Sequence, residues 1–129
     1  MSDKFTVEII SPDKSILKSE TSEVTIPSYE GQMGILKDHI PLITFLRPGI
    51  VSVQNQGKKN YFVEEGTVEF SNNNLLILTS TARDLTELNQ DSIEDLIKQA
   101  EKKLSEESSS DKEKYLLSYK INTLKEISK

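Results

Sequence analysis

The sequence contains no cysteine and no tryptophan, and only one histidine. Without cysteine there is no disulfide framework, no thiolate nucleophile and no Cys-based zinc or iron–sulfur site. One histidine leaves no second imidazole for a multi-His centre. Basic side chains are outnumbered, 16 Lys and Arg against 21 Asp and Glu, for a formal charge of −5. That balance argues against nucleic acid as a main partner, because phosphate neutralisation needs a basic face. Long apolar runs are missing too. The longest unbroken aliphatic run is Leu75 to Leu78, and the stretch from Ile40 to Leu46 is broken by Pro41 and Thr44, whereas a bilayer span needs about 20 apolar residues. The opening Met1 to Glu8 carries no apolar stretch of signal-peptide length, so export by that route is not expected. A soluble, cytoplasmic chain is the expectation, with any membrane association arising through a larger complex.

What is present is 129 residues in two halves of different period. Up to residue 86, short segments alternate or run briefly apolar. Phe5, Val7 and Ile9 oppose Thr6 and Glu8; Val24 and Ile26, Ile50 against Val51 and Val53, and Val68 and Phe70 repeat the pattern. Turn chemistry lies between them, at Ser11-Pro12-Asp13, Glu30-Gly31, Pro48-Gly49, Asn55-Gln56-Gly57 and Asn72-Asn73-Asn74. Strands at this spacing predict a β-sandwich or flattened barrel over 1–86. From Glu87 onward there is no Gly or Pro, and Ile93, Leu96, Ile97, Ala100 and Leu104 form one helical stripe. Asp91 with Glu94, or Ser92 with Asp95, is the expected start of that helix. Glu106 to Ser109 reads as a turn, and Ser110 with Glu113 as a capping box opening a second helix. The expected architecture is a sandwich followed by an antiparallel helical hairpin over 87–129. Two such helices are marginal alone, so the stripe must lie on the sandwich or on another protein. Charge is shared between the halves, −3 and −2.

Signals for bond-making chemistry are weak. His39 beside Asp38 suggests an acid–imidazole pair, but neighbours on a strand point apart, and a turn or partner contact explains it better. Gly31-Gln32-Met33-Gly34 lacks the spacing of a phosphate loop and precedes no helix. Glu64-Glu65 before Gly66 reads as a turn rather than a carboxylate pair. Lys112, Lys114, Lys120, Lys125 and Lys129 form by default a solvated face, with a docking strip for an acidic partner as the alternative.

Glu30, Gly31, Gly34, Ile35, His39, Pro41, Leu42, Ile43, Thr44, Leu46, Pro48 and Gly49 stand at fixed spacing. This stretch resembles the signature of the epsilon subunits of F-type ATP synthases, roughly E-G-x-x-G-[IV]-x-x-x-H-x-P-L-[LI]-T-x-[LI]-x-P-G. Phe5 to Pro12, Gly66 to Phe70 and Leu78 to Ala82 are similar to the family as well, and the resemblance runs the length of the chain. It implies a non-catalytic central-stalk subunit without a cofactor, bound to the gamma subunit and to the polar loops of the c-ring. Such a subunit couples proton-driven rotation to ATP synthesis at the cytoplasmic face of a bacterial membrane. It also implies that Glu30, Gly31, Gln32 and His39 face the ring; where many relatives carry an acid, this chain has neutral Gln32. In many relatives the hairpin regulates ATP hydrolysis, extending so that basic residues of its second helix meet the beta subunit. Lys112, Lys114, Lys120 and Lys125 would fill that role here. Some relatives bind ATP through an I-D-x-x-R-A motif, but this chain reads Ile93-Glu94-Asp95-Leu96-Ile97-Lys98, and its only arginines are Arg47 and Arg83. Lys does not replace a bidentate Arg fork, so no tight ATP site is expected. The hairpin is expected to be a mobile regulator with its docked state dominant. The competing reading is a free-standing β-sandwich ligand-binding module with a helical oligomerisation tail.

Overall fold

The computed structural model describes residues 3–54, 56–106 and 108–128. Ten strands come first: β1 (Phe5–Ile10), β2 (Ser15–Thr21), β3 (Glu23–Ser28), β4 (Gly31–Leu36), β5 (Leu42–Leu46), β6 (Gly49–Gln54), β7 (Lys58–Val63), β8 (Gly66–Ser71), β9 (Asn74–Leu78) and β10 (Arg83–Asp84). A 3-10 turn (Leu85–Glu87) leads into α1 (Gln90–Leu104) and α2 (Asp111–Ile127). All strands join one sheet in the order β10-β7-β6-β3-β5-β8-β9-β1-β2, with β4 paired to β3. The sheet folds over at β3, which pairs with β6 through Val24 and Thr25 and reaches β5 only at Ser28. Pro27 sits at that transition. It has no N–H to donate, and its carbonyl accepts from the Arg47 N–H at 2.9 Å.

The inward residues of both layers meet in one core that includes Val7, Ile26, Val51, Phe70 and Ile77. Alternation along β1, Phe5, Val7 and Ile9 buried, is the predicted pattern. β7 does not alternate: Tyr61, Phe62 and Val63 are all buried. Phe62 is turned out of the sandwich but covered by the hairpin, in a second cluster with Ile93 and Leu124. Ile50, opposite Phe62 on β6, packs against the same cluster.

Two turns follow from their residues. Asn72 and Asn73 both adopt positive φ, 50° and 59°, as a two-residue hairpin turn needs. Gly49 lies against Pro27: a Cβ there would stand 2.5 Å from the Pro27 Cβ. Asn55 and Glu107, part of two expected turns, and Lys129 lie outside the described residues.

The first helix starts earlier than its expected cap at Asp91 or Ser92. The N-cap of α1 is Asn89, whose Oδ1 accepts from the Ser92 N–H at 2.8 Å. Leu88 before the cap and Ile93 after it share a cluster, so the chain enters as a hydrophobic staple. Asp91 and Ser92 therefore lie inside the first turn rather than capping it. The capping box of α2 is formed as expected, with the Glu113 N–H donating to Ser110 Oγ at 3.1 Å.

Candidate functional site: a sheet face, its end turns and the docked hairpin

The outward face of β5, β8, β9 and β1 is unusually apolar. Across it, Phe45, Thr67, Leu78 and Ile10 form one cross-strand row, and Ile43, Glu69, Leu76 and Glu8 the next. Ile43 is 77% exposed, Phe45 56% and Leu78 46%. Tyr29 continues the row from the β3–β4 turn, its ring centroid 6.5 Å from that of Phe45. Between these side chains lies a groove of about 550 Å³ that reaches Glu65 and Ser80. Contiguous apolar exposure rimmed by polar groups marks an interaction surface.

The turn between β3 and β4 borders this groove. Ser28 is fully buried and braces it: its Oγ donates to the Gly31 carbonyl at 2.7 Å and accepts from the Glu30 N–H at 3.2 Å. Gly31 takes φ +121°, a conformation that favours glycine. Glu30 and Gln32 are exposed on either side.

His39 is elsewhere. It follows β4, whereas Glu30 and Gly31 precede and begin it, so the strand length of roughly 20 Å separates them. The four residues named from the sequence are thus not one cluster. Asp38 lies in a turn with His39 directly after it, in line with the turn that the sequence favoured over an acid–imidazole pair. Asp38 occupies a turn with φ +66° and exchanges hydrogen bonds with Asn73, its N–H donating to Asn73 Oδ1 at 2.7 Å. The His39 ring meets the edge of Phe70, centroids 5.9 Å apart, and its Nδ1 lies 2.8 Å from the Ile40 carbonyl.

Glu64 and Glu65 do form a turn, and they face different neighbours. The Glu64 carboxylate meets Lys120 Nζ at 2.6 Å, while Glu65 Oε1 accepts from Ser80 Oγ at 3.1 Å. Buried Thr79 donates to the Glu65 carbonyl and Thr81 Oγ1 accepts from the Glu64 N–H, which pins the turn. Close by, the Arg47 guanidinium stands 4.1 Å from the Tyr119 ring centroid. These two contacts tie α2 to the sandwich. Neither was visible in the sequence, because each joins residues more than fifty positions apart.

The lysines of α2 therefore separate. Lys112 and Lys114 are exposed; Lys125 is exposed and 3.9 Å from Glu101. Lys120 does not belong to the solvated face expected by default, since it turns toward the sandwich with a side chain 17% exposed. Among the described residues no three His, Cys, Asp or Glu gather as a metal-holding group. Among the described residues, too, no helix is long and apolar enough to cross a membrane.

Fold and surface together define a β-sandwich protein with an apolar outer face and a helical hairpin docked on it. Residues 4–84 match the family described as the ATP synthase delta/epsilon chain, β-sandwich domain. An ATP synthase epsilon chain of Pelagibacter ubique is 46% identical over 97% of this chain and 98% of its own length. That of Rhizobium etli strain CIAT 652 is 36% identical over 82% and 80%. The chain belongs to the ATP synthase epsilon chain family. The fold is also that of a chain of the Euglena gracilis mitochondrial ATP synthase, solved as an OSCP/F1/c-ring assembly, with TM-score 0.76, 21% identity and coverage of 97% and 79%. A chain of the Tetrahymena thermophila mitochondrial central stalk and c-ring matches with TM-score 0.66 at 14% identity, covering 96% of each.

Proposed function

We propose that this chain is a non-catalytic rotor subunit of a bacterial F-type ATP synthase central stalk, working on the cytoplasmic face of the membrane. The observation that carries the reading is the exposed apolar face of Ile43, Phe45, Leu78 and Tyr29. A chain of this family with such a face has a large partner to cover it. The gamma subunit takes that place, and residues 1–86 act as the docking unit. The turn of Glu30, Gly31 and Gln32 faces the c-ring loops, and His39 makes a separate contact at the far end of β4. Residues 87–129 act as a regulator. Docked, the hairpin is held by Lys120–Glu64 and Arg47–Tyr119; released, it frees Lys120 to join Lys112, Lys114 and Lys125 in reaching the beta subunit. A sheet folded over on itself around one core suits a part that transmits torque, since its loops are presented by a stiff scaffold.

Co-purification tests this. The tagged chain should recover gamma and c-ring subunits, and Phe45→Glu with Ile43→Lys should abolish recovery while the sandwich stays folded. Recovery of a monodisperse soluble oligomer lacking those subunits would instead support a free-standing binding module.

A further inference from the structure

The two ends of the sheet differ. β10 is two residues long, whereas β2 is seven residues long and contains no proline. Natural sheets blunt an edge with short strands, Pro, Lys or bulges. Here the bulge at Ile9/Ile10 lies at the Ser15 end, and Leu17 to Thr21 runs in regular register with Ile9 to Phe5. The direction of the backbone groups on this edge follows from β1, which is paired on both sides. The Thr6 N–H donates to the Asn73 carbonyl, and the Ile10 carbonyl accepts from the Thr79 N–H. Thr6, Glu8 and Ile10 therefore turn their backbone groups toward β9, and Phe5, Val7 and Ile9 toward β2. Thr21, Ser19 and Leu17 answer them. That leaves the N–H and C=O groups of Lys18 and Glu20 aimed outward, with no strand beyond them among the described residues. Ser19 stands between the two. It pairs with buried Val7 on the core side, and its Oγ is buried with no hydrogen-bond partner among the described residues. Lys18 and Glu20 are exposed on the opposite face, with Glu8 beside Lys18 in register.

An antiparallel strand added here must meet Lys18 and Glu20 in its hydrogen-bonded pairs. A second copy of β2 does so about a two-fold axis. Registers centred on Lys18 or on Glu20 set like charges directly opposite each other, which destabilises a sheet. Centred on Ser19, the register sets Lys18 against Glu20 of the second copy, and Glu20 against its Lys18. Each Lys18 then lies between Glu8 of its own chain and the partner's Glu20. Ser19 meets its own counterpart in the narrow pair, where Cα atoms stand about 4.5 Å apart. Rotation about one side-chain bond lets one hydroxyl donate to the other, and an unmet buried hydroxyl is costly. A single axis thus answers the outward backbone groups, both charges and the orphaned Oγ. Such an interface is isologous, closing at two copies.

We propose that β2 is a self-recognition edge, to which a second copy of this chain pairs antiparallel about a two-fold axis at Ser19. The pairing stands independently of the stalk reading. Contacts confined to one strand make a small, weak interface, so the test spans a wide range of concentration. Sedimentation of the full chain from about 10 µM to 1 mM should show monomer passing into dimer. Over that range, amide exchange at Lys18 and Glu20 should slow about fourfold for a dissociation constant near 100 µM. Lys18→Glu and Glu20→Lys should each abolish the dimer, since every charge across the axis then has one sign. An equimolar mixture of the two variants should restore it, although both remain net negative. Each variant's amide spectrum reports whether it folds, and the exchange measurement on the parent needs no variant. A parent chain monomeric at about 1 mM, or exchange at Lys18 and Glu20 that ignores concentration, would overturn the pairing. So would a mixture no more dimeric than either variant, or a dimer that Phe45→Glu removes and both edge substitutions leave intact.

Discussion

Leu124→Ala should release the hairpin while leaving the sandwich folded. Leu124 is fully buried where α2 meets Phe62 of β7 and Ile93 of α1. Truncating a buried leucine costs about 2–5 kcal/mol, depending on how far the site collapses. Against that loss, the polar ties are small. The Lys120–Glu64 pair, with side chains 17% and 23% exposed, contributes at most about 1 kcal/mol on the scale of surface pairs, and the Arg47–Tyr119 stack about 0.5–1 kcal/mol. The helices are 15 and 17 residues long, close to the limit of about 12–15 below which an isolated helix is marginal. Once undocked they should fray. The sandwich core shares no buried residue with the Phe62–Ile93–Leu124 cluster, so it should survive. Hydrogen exchange reads both parts at once: protection of α1 and α2 amides should collapse, while β8 and β9 amides keep theirs. Leu75→Ala, placed in the main core, should by contrast lower protection throughout. Parallel loss of protection in α1 and β8 after Leu124→Ala would refute the idea that the two parts are held by separate clusters.

Gly49→Ala should destabilise the sandwich by about 1–3 kcal/mol, the range for overpacking, because its Cβ would stand 2.5 Å from the Pro27 Cβ and 2.9 Å from its Cγ; a denaturant midpoint unchanged from the parent would contradict this. Tyr61 makes stability fall at alkaline pH. Its folded pKa is raised above the ordinary tyrosine value of 10.0, first by burial and then by Asp84 and Glu87, so the unfolded chain loses that proton first. The contribution is intact below about pH 10 and is lost as pH climbs through the folded value. Urea midpoints from about pH 9 to 11 should decline, less steeply in Tyr61→Phe. Isothermal titration should give an ATP dissociation constant on the intact chain weaker than about 10 µM, since both arginines, Arg47 and Arg83, precede the hairpin.

Where a segment has water on one side, its sequence disclosed it. β1 and β8 alternate because one face meets the core and the other does not. β7 was hidden for the opposite reason: Lys58-Lys59-Asn60-Tyr61-Phe62-Val63 is polar where it leaves the core and apolar on both faces where α2 covers it. β2 was hidden as an edge strand, with Ile16 and Leu17 only partly buried among polar neighbours. The start of α1 slipped by two residues because Asn89, Asp91 and Ser92 are all good caps, and the Leu88 staple that selects Asn89 is a tertiary contact. At the surface, the turn of Glu30 and Gly31 was legible from its glycine. The distance between that turn and His39 was not, since it depends on β4 being a strand. The partners of Lys120 and Arg47 likewise required the fold, as charge alone names no partner.

The parallel pairing of β1 with β9 bears on how the chain is made. Val7 lies beside Leu75, so β1 leaves the ribosome 68 positions ahead of the neighbour it waits for. At about 5–20 residues per second that wait lasts seconds. Meanwhile β1 has only β2 beside it, a two-stranded ribbon too small to be stable in water. Phe5, Val7 and Ile9 stay uncovered until β8 and β9 arrive together as a hairpin turned by Asn72 and Asn73. Closure of the sandwich is then a late, long-range step of the slow kind, and the nascent chain is most open to aggregation just before Leu78 emerges.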